Sequence, residues 1–264
     1  MKNPKSLMAP IIFAVAFVPV AACAETYAGY GEEPTQSGHL GGKEYSPYLE
    51  IGYPQRVFWG DTHLHTSFST DAGMVGNRLG PDEAYRFARG EMVVASSGVR
   101  ARLQRPLDFL VVADHAENLG LAPMIAEKNP DLLKTDFGRE ISQLVDAGKY
   151  GDAYSLWGDG MNAGKDPLKG NEALTRTMWE RLTAAAENFN EPGKFTALIA
   201  FEWSSQPNSA NMHHNVFFRD DEGPQAVFNA FYSVKREDLW TYQEIQRGMG
   251  HENLSIPHNA NVSN

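Results

Sequence analysis

The sequence predicts an α/β domain built on a mainly parallel sheet or barrel. Two observations favour this class: short apolar runs next to polar, ligand-type residues recur along the chain, and helical segments lie between them. A chain of 264 residues with 42% hydrophobic side chains is also long enough to bury a sizeable core. Because it has one cysteine and no three-residue glycine period, disulfide-rich and collagen-like classes are excluded.

The N-terminal segment is predicted to be a targeting signal rather than part of the fold. Residues 1–24 combine a basic start, a short apolar run and small residues at a cleavage site, which is typical of a secretory signal peptide. The residues up to Cys23 also resemble a bacterial lipoprotein signal, and an uncleaved membrane anchor is a further alternative. We therefore expect an exported protein, periplasmic or outer-membrane-associated, that contacts a membrane only through this signal or a lipid on Cys23.

The predicted domain occupies residues 56–264, after a linker or surface strap over residues 25–55 that is rich in Gly, Glu, Pro, Ser and Tyr. Four apolar runs in the domain predict buried strands, namely Val57–Trp59, Leu107–Ala113, Thr196–Phe201 and Leu254–Pro257. Polar residues follow each of these runs. A fifth run, His213–Phe218, instead begins with its polar residues, which predicts a strand antiparallel to the preceding one.

Three helices are predicted from their end signals and apolar spacing. One opens at Pro81 with two acids in its first turn and ends at Gly90, and a second runs from Asn171 to Asn190. A third extends from Lys235 to Arg247. The long connection over about 116–195 is predicted to be a helical insertion, which acts either as a lid or substrate wall or as a surface decoration.

The candidate functional residues lie where the predicted strands end or begin. His63 and His65 are two residues apart, so a strand would point both imidazoles to the same side. The other candidates are Asp71 in a Ser/Thr-rich loop, Asp114, His115, Glu202, one histidine of the 213–214 pair, and His258. Imidazole and carboxylate groups ligate transition metals, and burying them together without a cation is costly. The pattern therefore indicates a metal site.

The overall charge restricts the class of partner. The formal net charge of −10 argues against a nucleic-acid-binding surface, which needs a surplus of Lys and Arg. We expect a small-molecule substrate and no nucleic acid. An anionic substrate would then depend on local positive charge, which bound metals supply.

Several of these segments carry a resemblance to a known family. The segments Gly60–Thr66, Ala113–His115, Glu202 and Pro257–Asn259 resemble, in this order, motifs of the PHP (polymerase and histidinol phosphatase) superfamily. They are most similar to an exported bacterial branch that is catalogued as a domain of unknown function. The resemblance covers about residues 56–264 and implies a distorted (β/α)7 barrel with up to three metals at the carboxyl ends of its strands.

The resemblance also implies ligands for each metal, with Glu202 shared by the first two. The implied sets are His63, His65 and Glu202 for the first metal, Glu202, His213 and His258 for the second, and Asp71 and His115 for part of the third. His213 is preferred to His214 because that branch places its histidine two residues before an Asn. Asp114 is expected to orient an imidazole or the attacking water.

The end of the chain departs from the family pattern. The family closes its site with a late Asp-x-His motif, which is not present before Asn264. The expectation is therefore a fragment of a longer reading frame, whose barrel lacks its C-terminal strands. The cofactors implied are two or three divalent ions, and mixed His and carboxylate ligation suits Zn, Mn or Fe without choosing among them.

The activity implied is that of a metal-dependent phosphoesterase. A hydroxide that bridges the metals would attack a small phosphate ester. Two alternatives stay open: metal-dependent hydrolysis of an amide, ester or sulfate ester, and non-catalytic binding of a metal or solute by an exported protein. A thiol nucleophile is excluded from the domain, because the single cysteine lies in the predicted signal region.

Overall fold

The computed structural model describes residues 56–219 and 223–257. The predicted signal peptide over 1–24, the predicted linker over 25–55 and the candidate ligand His258 lie outside the described residues. Among the helices of the described part of the chain, none combines the length and the apolar character needed to cross a membrane.

The described residues contain seven strands in two sheets. In chain order the strands are β1 (Gly60–Leu64), β2 (Val93–Val94), β3 (Arg100–Ala101), β4 (Phe109–Val112), β5 (Thr196–Trp203), β6 (His214–Phe218) and β7 (Asn253–Pro257). Strands β2 and β3 pair with each other, and the other five form one sheet in the order β1-β4-β5-β6-β7. Strands β1, β4 and β5 are parallel, whereas β6 is antiparallel to both β5 and β7.

The mixed sheet corrects the prediction of a mainly parallel one. The antiparallel direction predicted for the run that begins at His213 is confirmed, because β6 pairs antiparallel with β5. The segment 204–213 that joins them is too short for the crossover that a parallel neighbour would need. Only the part of the sheet formed by β1, β4 and β5 therefore has the predicted parallel arrangement.

The first strand begins later than predicted. Residues Val57, Phe58 and Trp59 are exposed, and pairing with β4 starts at Gly60. A Cβ atom at Gly60 would lie 2.3 Å from the backbone oxygen of Phe109, so this close approach of the two strands requires glycine. The shift places His63 inside β1 and His65 directly after its last residue.

The five-stranded sheet is strongly curled. Asn215 in β6 donates its Nδ2–H to the backbone oxygen of Thr62 in β1 at 3.3 Å, although β4 and β5 separate these strands in the sheet. The curled sheet forms a half-barrel. The complete (β/α)7 barrel that the resemblance implied is not confirmed by the described strands.

Alternating side chains of the sheet pack into two apolar layers. One set joins the main core with the surrounding helices, and it includes Leu110, Val112, Ile199 and Phe201. The intervening residues form a smaller cluster inside the half-barrel: Val111, Ala113, Ala200 and Phe217, with Leu198 packed against them. The candidate ligands lie at one end of the half-barrel, and the rest of its inside surface is lined by these apolar side chains.

Seven α-helices surround the sheet in the described residues. They are α1 (Thr70–Gly73), α2 (Pro81–Ala88), α3 (Leu121–Ala126), α4 (Asp136–Asp146), α5 (Tyr150–Asn162), α6 (Glu172–Phe189) and α7 (Arg236–Gly248). The three predicted helices are confirmed as α2, α6 and α7, and the predicted insertion over 116–195 is helical. Helix α6 buries its predicted apolar stripe, including Leu174, Met178 and Leu182, against the sheet.

Candidate metal centre

Glu202 is the central residue of the site. It lies near the carboxyl end of β5, and its side chain is completely buried. Its backbone N–H donates to the carbonyl of Asp114 at 3.0 Å, and its carbonyl accepts from the N–H of Ala116 at 2.9 Å. These bonds tie the residues after β4 to the end of β5, so polar side chains from both strands meet at one end of the half-barrel.

Four imidazoles converge on the Glu202 carboxylate. Its Oε2 atom lies 2.8 Å from Nε2 of His65 and 3.4 Å from Nε2 of His63. The same oxygen lies 3.3 Å from Nδ1 of His115, and Oε1 lies 3.0 Å from Nδ1 of His213. The Nε2 atoms of His63 and His65 are 3.0 Å apart, so both rings point to the same side, as strand geometry predicted.

Asp71 supplies a second carboxylate to the cluster. It lies in the one-turn helix α1, where the sequence predicted a loop. Its Oδ1 atom lies 3.2 Å from Nδ1 of His65, and its Oδ2 atom lies 3.4 Å from Nε2 of His115. The hydroxyl of Ser69 donates to Oδ1 of Asp71 at 2.6 Å. Asp71 therefore links the rings of His65 and His115 on the side away from Glu202.

The donor atoms form three groups, in each of which all atoms lie within 4.8 Å of one another. The groups are His63, His65 and Glu202; His65, Asp71 and His115; and His115, Glu202 and His213. This donor set of imidazole nitrogens and carboxylate oxygens suits a divalent transition metal. His115 takes part in the group of Glu202 and His213, for which the resemblance implied His258 as the third ligand.

The imidazoles hold both carboxylates in their charged form. Burial alone would raise the pKa of Glu202, but hydrogen bonds with three imidazoles, among them His213, hold that pKa well below its ordinary value. Burial also opposes ionisation of Asp71, yet hydrogen bonds with His115 and His65 lower the pKa of Asp71 below its ordinary range. The cluster therefore holds two negative charges, one on the completely buried Glu202 and one on the partly exposed Asp71.

The carboxylates in turn favour positive charge on the imidazoles. Burial lowers the pKa of His65, but hydrogen bonds to Asp71 and Glu202 outweigh it and raise that pKa to about 10. The pKa of His115 is also raised, because its hydrogen bond to Asp71 and the charge of Glu202 outweigh burial. In the metal-free protein a proton on His65 therefore offsets part of the negative charge of Asp71 and Glu202, as a divalent cation would when bound.

Asp114 is completely buried beside the cluster. Its Oδ2 atom accepts the hydroxyl hydrogen of Thr66 at 2.7 Å, and its Oδ1 atom accepts the backbone N–H of the same residue. Burial raises the pKa of Asp114 to about 6, although the hydrogen bonds from Thr66 lower it. Through these two hydrogen bonds the Asp114 carboxylate fixes the backbone of Thr66, the residue directly after His65. In the structure Asp114 therefore helps to orient His65 through the backbone.

The two adjacent histidines of the 213–214 pair point to opposite sides. His213 contacts Glu202, whereas Nδ1 of His214 lies 2.9 Å from the carbonyl oxygen of Met212. The ring of His214 packs edge-on against Trp203, with centroids 5.9 Å apart. Only His213 of this pair therefore belongs to one of the donor groups.

Several residues that hold the cluster in place were not predicted from the sequence. The hydroxyl of Ser204 contacts Nδ1 of His115, and Nε2 of Gln206 lies 3.3 Å from Nε2 of His213. The buried Glu117 accepts the backbone N–H groups of Ser204 at 3.2 Å and Ala230 at 2.7 Å. A signal for the first two existed, because a polar Ser-Ser-Gln segment follows Glu202 and Trp203 directly.

A cavity of about 500 Å³ borders the segment that carries Asp71. One wall consists of Ser67 and residues 73–78, and the other comes from the helical insertion, including Ile125, Val145 and Tyr150. The insertion thus encloses space next to a segment that contributes a candidate ligand.

Comparisons with known proteins place the chain in a family. A comparison with the curated proteins and another with the solved structures found no match. Residues 53–264 match the model of the family described as "Protein of unknown function (DUF3604)". The match spans the predicted domain and every residue of the cluster. The chain therefore belongs to this family of proteins of unknown function.

Proposed function

We propose that this protein is an exported metal-dependent hydrolase whose substrate is a small phosphate ester. The observation that carries the proposal is the convergence of four imidazoles on Glu202, a completely buried carboxylate, at distances of 3.4 Å or less. Burying these groups opposes folding, and apolar side chains would fill the same space at a lower desolvation cost. Ionisable clusters with strongly shifted pKa values are characteristic of functional sites.

In this proposal each residue of the cluster has a ligand role. His63, His65 and Glu202 would hold one cation, and His115, Glu202 and His213 a second. Glu202 would be shared by the two cations, since it belongs to both donor groups. The contact of His115 with Asp71 supports a third position, for which the resemblance implies the same two residues.

The neighbouring side chains orient these ligands. When the third position holds no cation, Asp71 can accept the Nδ1–H of His65 and leave the Nε2 lone pair directed at the Glu202 side of the cluster. Asp114 holds the backbone of Thr66, the residue after His65. Divalent metals, when bound, would make a water acidic and neutralise negative charge on the substrate and leaving group.

Phosphate as the target is supported by the resemblance of the strand-end motifs to the PHP superfamily. In this proposal the half-barrel corresponds to part of the seven-stranded (β/α)7 barrel of that superfamily. The net charge of −10 is compatible with an anionic substrate only because metals would supply local positive charge. The cavity of about 500 Å³ between the insertion and the Asp71 segment is the proposed space for the remainder of the substrate.

The first experiment is elemental analysis of the purified protein beside His63→Ala/His65→Ala and His251→Ala. The matched control removes a histidine outside the donor groups of the described residues. We expect two or three Zn, Mn or Fe ions per chain in the wild type and in the control, and fewer in the double variant. A folded wild-type protein without metal, after loading with each of these ions, would refute the proposed centre.

The second experiment separates the chemical classes. The metal-loaded protein is assayed on a panel of phosphate monoesters and diesters, carboxylic esters, amides and sulfate esters, with the His63→Ala/His65→Ala variant as the blank. Turnover of phosphate esters that the variant lacks supports the proposal. Turnover confined to another bond would replace phosphate as the target, and a loaded protein inactive on every class would favour a binding role.

A further inference from the structure

Asn215 lies at the floor of the candidate metal centre. It is directly opposite Glu202 in the β5–β6 pair, and opposite residues of an antiparallel pair project to the same side of the sheet. His213, two residues earlier, contacts Glu202 from that side. Phe217, two residues later, belongs to the apolar layer inside the half-barrel. Asn215 therefore stands between the candidate ligands and the apolar interior.

Of the two polar atoms in the Asn215 carboxamide, one has a hydrogen-bond partner in the described residues and the other has none. Its Nδ2 atom donates to the carbonyl of Thr62 in β1, so this contact across the half-barrel sets the orientation of the amide. Its Oδ1 atom is buried and has no hydrogen-bond partner among the residues that the structure describes. The residue as a whole is only 3% exposed. A buried acceptor without a partner is costly, which indicates that a ligand completes it.

We propose that Oδ1 of Asn215 is a neutral oxygen ligand of the cation held by Glu202 and His213. The inference rests on the proposed function, because it requires that the cluster binds metal. A neutral carbonyl oxygen is a ligand that suits Mn²⁺, whereas Zn²⁺ sites in proteins are built mainly from His nitrogen, Cys sulfur and carboxylate oxygen. Asn215 therefore favours Mn²⁺ over Zn²⁺ at this position. A trapped water is the less suitable partner, because the layer below Asn215 is apolar and offers it few hydrogen bonds.

The test measures metal affinity rather than activity. The chelator-treated full chain is titrated with Mn²⁺, with the free ion followed by electron paramagnetic resonance, and separately with Zn²⁺ by equilibrium dialysis and elemental analysis. Asn215→Leu removes the oxygen at similar volume. Phe217→Leu is the matched control, since it perturbs the same strand and the same face without removing a polar atom.

We expect Asn215→Leu to weaken Mn²⁺ binding on the order of 10- to 100-fold and Zn²⁺ binding less. Phe217→Leu is expected to leave both affinities unchanged. Asn215→Asp retains an oxygen at this position and is the second variant if Asn215→Leu does not fold. It is expected to bind Mn²⁺ at least as tightly as the wild type.

Three outcomes would overturn the inference. Unchanged affinities for both ions in a folded Asn215→Leu protein would remove Asn215 from the ligand set and leave the proposed centre intact, whereas equal losses for both ions would refute its preference for Mn²⁺. Weaker Mn²⁺ binding by Asn215→Asp than by the wild type would likewise remove Asn215 from the ligand set. A wild-type protein that binds neither ion would refute this inference, and failure to bind iron as well would refute the proposed function.

Discussion

The Nδ1 atom of His213 lies 3.0 Å from Oε1 of Glu202. The antiparallel return of the chain creates this contact, because β5 ends at Trp203 and β6 begins at His214, at the same end of the half-barrel. The same turn directs the next ring, that of His214, against Trp203. Two histidines that are adjacent in sequence therefore have different environments, and they provide a matched pair for testing the site.

Substituting these two histidines separately is expected to have unequal effects on metal binding. His213→Ala removes a nitrogen from a donor group and should weaken binding of one cation by at least about 10-fold. His214→Ala removes a ring outside the donor groups and should leave metal content unchanged, although the lost contact with Trp203 lowers stability. Elemental analysis and calorimetric titration of both variants measure the difference. Metal lost from His214→Ala alone would contradict the assignment.

The effect of metal on stability is expected to increase with pH. In the metal-free protein the raised pKa of His65, about 10, contributes stability that is present below about pH 6.5 and is lost as the pH rises through about 10. The lowered pKa values of Asp71 and Glu202 contribute stability that is present above about pH 4 and is lost in acid. Metal binding must displace the imidazole protons, so alkaline conditions favour it.

This expectation is checked by thermal unfolding of chelator-treated and metal-loaded protein at pH 6 and pH 9. The increase in Tm caused by metal should be larger at pH 9, where the metal-free protein has lost part of the His65 contribution. The His63→Ala/His65→Ala variant serves as the control, and its Tm should increase less with metal than that of the wild type, because it retains only the group of His115, Glu202 and His213. An increase that is identical at the two pH values would show that these imidazoles do not exchange protons for metal.

Substitution of Asp114 is expected to act through the position of the loop after β1. Asp114→Ala removes the acceptor for both hydrogen bonds of Thr66 and should lower metal affinity on the order of 10- to 100-fold. Thr66→Val removes only the hydrogen bond from the Thr66 hydroxyl, so it should lower metal affinity less than Asp114→Ala does. Both are measured by metal titration and by turnover of the loaded protein. Full metal affinity with no turnover in Asp114→Ala would instead assign a direct role in proton transfer.

Glu117 is expected to matter for stability rather than for metal binding itself. Glu117→Ala leaves the buried N–H groups of Ser204 and Ala230 without their acceptor, which should cost about 2 kcal/mol or more of unfolding free energy. Glu117→Gln retains an acceptor oxygen, so it should lower the free energy of unfolding less than Glu117→Ala does. Glu180→Ala, on the exposed face of α6, is the control and should change stability by about 0.5 kcal/mol or less. Urea unfolding of the metal-free proteins measures these values, and equal losses in Glu117→Ala and Glu180→Ala would contradict the role.

Local patterns predicted much of the framework. Helices α2 and α6 were predictable because proline, acidic residues and apolar spacing act within a few residues of one another. The two-residue period of a strand predicted that the rings of His63 and His65 point to the same side. The apolar run before Glu202 predicted that this residue lies near the carboxyl end of a strand. The start of β1 was predicted wrongly, since the close packing of Gly60 on Phe109 involves residues far apart in sequence.

The sequence by itself determined the residue types of the site and the order in which they occur. The tertiary structure decided which of them meet: that His115 joins the group of Glu202 and His213, that Asp71 reaches both His65 and His115, and that Asn215 spans the half-barrel to Thr62. The physical reason is that periodicity and end signals depend on neighbours in the chain. The curl of the sheet and the direction of each side chain depend instead on how distant strands pack together.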